Sequence, residues 1–193
     1  MTFELQSDTS AAAWLARAGT PGEQLLLFGP TGFEAYARLR FIPDPEHPGQ
    51  AEADVQPPAG HESDIDQARR ALRELGRFTE TPDECCFCVW EGYPDVKPPT
   101  GEVPLLTLPH RRYWVLRGAL ADLGEWENEL GTGHPIAPPA FVWPADRAWC
   151  FASDVDPHWA GIGASSQAVE SLVKTPGIDV VRAQPEDCQP FYR

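Results

Sequence analysis

Three acid–base residues at alternate positions are the first chemistry in this chain: Asp154, Asp156 and His158. On an extended strand all three would point to one side. Two carboxylates and an imidazole suit a divalent ion such as Zn²⁺ or Mn²⁺. Pro157 supports a different reading. Asp-Val-Asp-Pro is a turn signal, and an Asp side chain bonds its own backbone two residues on. A turn at Pro157 destroys the period-two alignment. The turn is the expectation, an acid/base role and a metal site are the competing readings, and no metal is assigned.

Cys85, Cys86 and Cys88 raise the same question. Zinc fingers and ribbons use paired C-x₂₋₄-C spacings, which this run lacks. On a strand only Cys86 and Cys88 share a face. Free cysteine is among the most buried residue types, so core packing is expected.

Basic and aromatic residues make a third grouping. Glu34 to Ile42 alternates cleanly, with Ala35, Ala37, Leu39 and Phe41 on one face and Tyr36, Arg38, Arg40 and Ile42 on the other. The first set should meet a helix layer. Trp90-Glu91-Gly92-Tyr93 places an acid between two aromatics. The binding candidates are Arg38, Arg40, Trp90, Glu91 and Tyr113, with the corner Asp154, Asp156 and His158. Arg grips a carboxylate or phosphate through two parallel bonds while aromatic rings stack, so such a face would take a planar anion. A solvated sheet face with Arg paired to surface acids is the plainer alternative. The chain holds no GxSxG, Walker A, GxGxxG after a strand, or HExxH motif, which argues against common hydrolases, kinases and dinucleotide enzymes. No cofactor is expected.

The elements that must position these residues can be read from capping and periodicity. Trp143 to Arg182 reads as strand (Ala148–Ser153), turn, strand (Trp159–Gly163), helix and strand (Ile178–Val181). Ser165 or Ser166 caps the helix, with Val169, Leu172 and Val173 as its apolar face. Ser63 caps a second helix through Leu75, striped by Ile65, Ala68, Leu72 and Leu75. A short first helix runs from Thr9 or Ser10 to Ala18. Gln24–Phe28, Glu84–Glu91, Val103–Leu108 and Arg112–Arg117 read as strands, the second of them central because both faces are apolar. Ala119 to Leu130 reads as a weak helix. Gly131 to Pro144 reads as an extended surface segment. Pro43 to Glu62 carries five prolines and no Lys or Arg. Glu46, Glu52, Asp54 and Glu62 make it an acidic surface loop, or a lid or partner-binding arm.

A chain of 193 residues with net charge −14 fits one domain and argues against nucleic acid and anionic membranes. A basic protein surface remains a fitting partner, and so does a small anion at the Arg face. No apolar run approaches a membrane span, and the first residues do not read as a signal peptide. Five cysteines, two of them adjacent, fit a reducing compartment, so a cytoplasmic location is expected.

The segments FCVWEGY, PHRRYWVLRG and FVWPADRAWCFASDVDPHWAGIG together resemble a group of uncharacterised actinobacterial proteins of similar length. That resemblance implies one domain and carries over no catalytic residue. In layout alone the chain is similar to small α+β immunity proteins. The expected fold is a single α+β domain, a mostly antiparallel sheet of five to seven strands with three or four helices mainly on one face. The expected function is a non-catalytic binding module holding a protein partner, with contact through acidic faces around Glu125, Glu127 and Glu129. The alternative is a small enzyme or small-anion binder with a sheet-face pocket.

Overall fold

Antiparallel pairing runs through the whole sheet in the computed structural model, which describes residues 2–17, 19–56, 60–132 and 136–193. The strands are β1 (Glu4–Leu5), β2 (Ala35–Arg40), β3 (Cys85–Trp90), β4 (Leu106–Leu108), β5 (Arg111–Gly118), β6 (Phe141–Pro144), β7 (Cys150–Ala152), β8 (Trp159–Ala164) and β9 (Val180–Ala183). Their order across the sheet is β1-β5-β3-β6-β7-β8-β2-β9, with β4 also on β5. Nine strands exceed the expected five to seven, yet the α+β class with a mostly antiparallel sheet holds. The last part of the chain follows its residue pattern: strand, hairpin, strand, helix, strand. β3 is central as expected, flanked by β5 and β6.

Among the described residues five α-helices, against the expected three or four mainly on one face, cover both faces: α1 (Ala13–Arg17), α2 (Gly22–Phe28), α3 (Asp64–Leu75), α4 (Trp126–Leu130) and α5 (Ser166–Lys174). On one face α3 and α5 bury Ile65, Ala68, Leu72, Leu75, Val169 and Leu172 against Ala37, Leu39, Phe87, Val142, Phe151 and Ile162 of the sheet. The caps are those expected. Ser63 Oγ accepts from Asp66 N, and Ser165 Oγ accepts from Ala168 N. Val173 is exposed, so Val169 and Leu172 carry the face with Ala168. On the other face α1 and α2 cover Cys86, Cys88, Tyr113, Phe141, Trp143 and Cys150.

Three expectations are corrected. Gln24–Phe28 lies in α2, because Pro21 opens the turn, Glu23 sits in its first turn and Gly29 at φ 77° closes it. Phe141–Pro144 is not surface chain; it is buried between β3 and β7. The first helix is split into a 3₁₀ turn (Ser10–Ala12) and α1, and Ala18 lies outside the described residues. The Pro43–Glu62 stretch contains one 3₁₀ turn (Glu52–Asp54) and no strand among its described residues; 57–59 lie outside them. Residues 133–135 of the Gly131–Pro144 segment also lie outside.

Gly161 lets α2 approach the sheet. A Cβ there would stand 2.0 Å from the Leu27 carbonyl oxygen and 2.9 Å from Phe28 Cα. The helix end therefore rests on strand backbone, and Phe28 reaches the Trp159 ring at 5.2 Å. Among the described residues no helix is long and apolar enough to cross a membrane.

Candidate functional site

Antiparallel pairing gathers the ends of β3, β7 and β2 with the starts of β5, β6, β8 and β9 at one end of the sheet. All eight candidate residues lie near this end, in two separate groups. From β3 to β2 the sheet order makes four inter-strand steps, roughly 19 Å along the sheet at the usual spacing. The anticipated single cleft containing Arg38, Arg40, Trp90, Glu91 and Asp154 does not form.

The first group surrounds Asp44. Arg38 projects from β2 on the α2 face and donates from Nη1 and Nη2 to the two Asp44 oxygens at 2.6 and 3.0 Å. Arg40, two residues on, donates to Asp44 Oδ2 at 3.0 Å and to Asp179 Oδ1 at 2.7 Å. His158 Nε2 lies 3.1 Å from Asp44 Oδ1. The Arg38 guanidinium lies over the Trp159 ring, 5.3 Å from its centroid. Arg38 and His158 are only 7% and 6% exposed. Burial of this depth is tolerable for a charged group only when it is paired. Burial alone would raise the Asp44 carboxyl; the bonds from Arg38, His158 and Arg40 overcome that and hold it down at about 2. Burial is also the main reason the His158 ring has a lowered pKa, with Asp44 opposing and the Arg38 charge adding to the depression. At neutral pH the ring is therefore uncharged. It donates from Nε2, and Nδ1, buried without a protein partner, keeps its lone pair.

Residues near the end of the numbered chain close over this group. Trp159 Nε1 donates to the Pro190 carbonyl at 3.1 Å, and the Phe191 ring lies 5.9 Å from that of Trp159. The Tyr192 ring meets His158 edge-on at 4.6 Å, and its hydroxyl donates to the Pro43 carbonyl at 2.6 Å. Beside Arg40 opens a cleft of about 470 Å³ between the end of β2, the start of α3 and the turn before β9. His61, Glu62, Gln67, Arg70 and Asp179 line it with Arg40. The buried Gln67 amide donates to the carbonyls of Phe41 and Glu62 and so fixes the cleft wall. Arg70 pairs with Glu62.

The second group is centred on Arg111. Its guanidinium lies 4.8 Å from the Trp90 ring centroid and bonds both Asp154 oxygens at 3.1 and 3.4 Å. Asp156 stands 3.6 Å away on the same guanidinium. Glu91 accepts from Arg112 on the neighbouring strand. Tyr113 is buried in the α1/α2 core, edge-on to Phe141 at 5.6 Å, and burial raises its phenol strongly. The Asp154/Asp156/His158 run divides at Pro157, as turn chemistry requires: the two acids serve Arg111 and the imidazole turns to Asp44.

The cysteines pack as core. Cys86, Cys88 and Cys150 belong to one face and Cys85 to the other. Burial pushes the Cys85 thiol up to about 12 and Cys86 to about 11, so neither supplies a thiolate at neutral pH. Among the described residues no group of three or more His, Cys, Asp or Glu side chains is arranged to hold a metal ion. The expected acidic face is committed within the chain: Glu125 accepts from the Asn128 amide, Glu127 pairs with Arg69, and Glu129 accepts from the backbone N–H of Thr2 and of Phe3.

Asp44, Trp159, Asp179 and Tyr192 escape a sequence reading. Asp44 stands four residues after Arg40, between two prolines, and that spacing beside an Arg-x-Arg strand is its one local signal. A scan against protein-family models, a search of curated proteins and a search of solved structures each find no match to this chain.

Proposed function

We propose that the protein is a non-catalytic binder of a small anion carrying carboxylate groups, received in the cleft beside Arg40. One observation carries this reading. Two guanidiniums and an imidazole converge on a single carboxylate, that of Asp44, and one of those guanidiniums, Arg40, also lines an open cleft. That arrangement is how proteins recognise carboxylates: a bidentate Arg, a second cation and an aromatic platform under the first. Arg70, paired with Glu62, lines the same cleft, so a ligand with two anionic ends meets a guanidinium at each. Phe41, Ile42, Pro43 and Ile178 give the cleft a partly apolar wall beside these polar groups, as in small-molecule sites.

Among the described residues the buried thiols and the His158 imidazole are committed to packing and pairing, which supports binding. Four of the five thiols are buried, and the His158 ring is enclosed and committed to Asp44. The protein-partner reading is weaker, because all three of its glutamates are engaged within the chain and the exposed large apolar side chains among the described residues, Val155, Val173 and Phe191, come from separate elements. Five unpaired cysteines favour a reducing compartment such as the cytoplasm.

Calorimetric titration with succinate, glutarate, citrate and inorganic phosphate, with succinamide as the neutral control, tests the proposal. At ligand concentrations of roughly 10 mM a Kd of about 1 mM would register. A dicarboxylate should bind, the diamide should not, and Arg40→Ala should weaken binding at least about tenfold, the loss of roughly one charged hydrogen bond. Absence of binding by all four anions would overturn the reading.

A further inference from the structure

We infer that Asp44 is a built-in occupant of the anion site, and that the ligand's carboxylate takes its place between Arg38, Arg40 and His158 while the loop carrying Asp44 moves aside. This inference rests on the anion-binding reading above and adds its regulation.

The contacts of Asp44 are those of a bound ligand. It receives two bonds from Arg38, one from Arg40 and one from His158. Four donors fill the acceptor capacity of one carboxylate. These donors do not depend on Asp44 for their positions. Arg38 lies on Trp159, Arg40 also holds Asp179, and the His158 ring packs on Tyr192. Removing Asp44 would thus leave a formed receptor. Arg38 Nε and Arg40 Nε, buried without protein partners, are spare donors that a ligand with further oxygens can use.

The segment that supplies Asp44 is built to leave. It follows β2 without joining the sheet. Its anchors near Asp44 are the Tyr192 hydroxyl on the Pro43 carbonyl, the Gln50 side chain on Glu46 N, and Arg193 N on the Gln50 carbonyl. Displacement breaks none of the strand pairing. Pro43 and Arg40 also line the cleft, so an arriving anion meets Arg40 beside the residue it must replace. A tethered carboxylate competes at an effective concentration of millimolar order or above, which lowers the apparent affinity of any free one.

Succinate titration of the wild type, Asp44→Asn and Tyr192→Phe tests this. Asp44→Asn keeps the side-chain shape and removes the competing charge, and should tighten succinate binding at least about tenfold. Tyr192→Phe loosens the loop without touching the cations and should tighten it by less. Unchanged affinity in a folded Asp44→Asn would make Asp44 a structural pin and overturn the inference while leaving the anion-binding function standing. Weaker binding in that variant would make Asp44 part of the ligand's own site and overturn it as well. Silence of both wild type and Asp44→Asn toward succinate, glutarate and phosphate would overturn the function and the inference together. If Asp44→Asn does not fold, Tyr192→Phe and a Glu-specific protease on the wild type decide. Succinate should speed cleavage at Glu46 and Glu52, and slower or unchanged cleavage would overturn the inference.

Discussion

Arg38 meets Asp44 end-on, Nη1 and Nη2 each facing its own carboxylate oxygen at 2.6 and 3.0 Å, with Trp159 beneath the guanidinium. This contact fixes the first turn of the Pro43 loop to the middle of a buried strand. It also makes Asp44 the residue through which acid stability and loop order are joined.

Asp44→Ala should lower stability by about 2 kcal/mol, because two arginines and a histidine lose their acceptor in a site mostly shielded from water. Asp44→Asn should cost less, since the amide oxygen still accepts. Urea unfolding, with unchanged m-values, measures both.

Acid should weaken the fold in two stages. The His158 pKa is lowered in the folded state, so its contribution is present above the unfolded value of about 6.5 and fades as pH falls through the folded one. The Asp44 contribution is present above about 4 and is lost as pH falls toward about 2. Thermal melts between pH 7 and pH 2 should show both slopes, and His158→Gln should remove the upper one alone.

Gly161→Ala should destabilise the protein by about 3 kcal/mol, the upper end of overpacking costs, since the new methyl meets Leu27 and Phe28 backbone rather than a flexible side chain. Gly124→Ala is the contrast. Nothing lies within 4 Å of a Cβ there, so its effect should stay within about 0.5 kcal/mol. Chemical denaturation of the pair separates crowding from a general glycine effect.

Thiol labelling of the native protein should modify Cys188 quickly and the other four only on unfolding. Cys188 is exposed, and Cys85, Cys86, Cys88 and Cys150 are buried. Stoichiometry with a thiol-reactive dye, before and after denaturant, reads this directly. More than one fast thiol would show that the α1/α2 layer opens readily.

Much of the frame can be read before folding, and the reason is local. α3 and α5 declare themselves by a serine cap and an apolar stripe, and β2 by strict alternation. α2 is misread because a four-residue apolar run, Leu25 to Phe28, has no period that separates strand from buried helix. β6 hides in a proline-rich approach and is identifiable only by its neighbours, β3 and β7. The site is harder still. Arg38, Arg40 and His158 stand out by residue type, but their shared acceptor comes from an irregular loop and their cover from Tyr192, 149 residues beyond Pro43. Trp90, Glu91 and Asp154 carry the same residue chemistry and belong to Arg111 and Arg112 instead. Residue type does not say which guanidinium each acid will reach; strand order does.

The pairing of β2 sets a schedule for synthesis. Both of its neighbours, β8 and β9, follow it by well over a hundred residues. At roughly 5–20 residues per second, β2 leaves the ribosome on the order of ten seconds before any strand that can pair with it. Through that interval Leu39 and Phe41 have no sheet to join, and the Arg-x-Arg alternation on the opposite face keeps the waiting strand soluble. The two arginines thus serve first as gatekeepers against association of nascent chains, and only afterwards as the partners of Asp44.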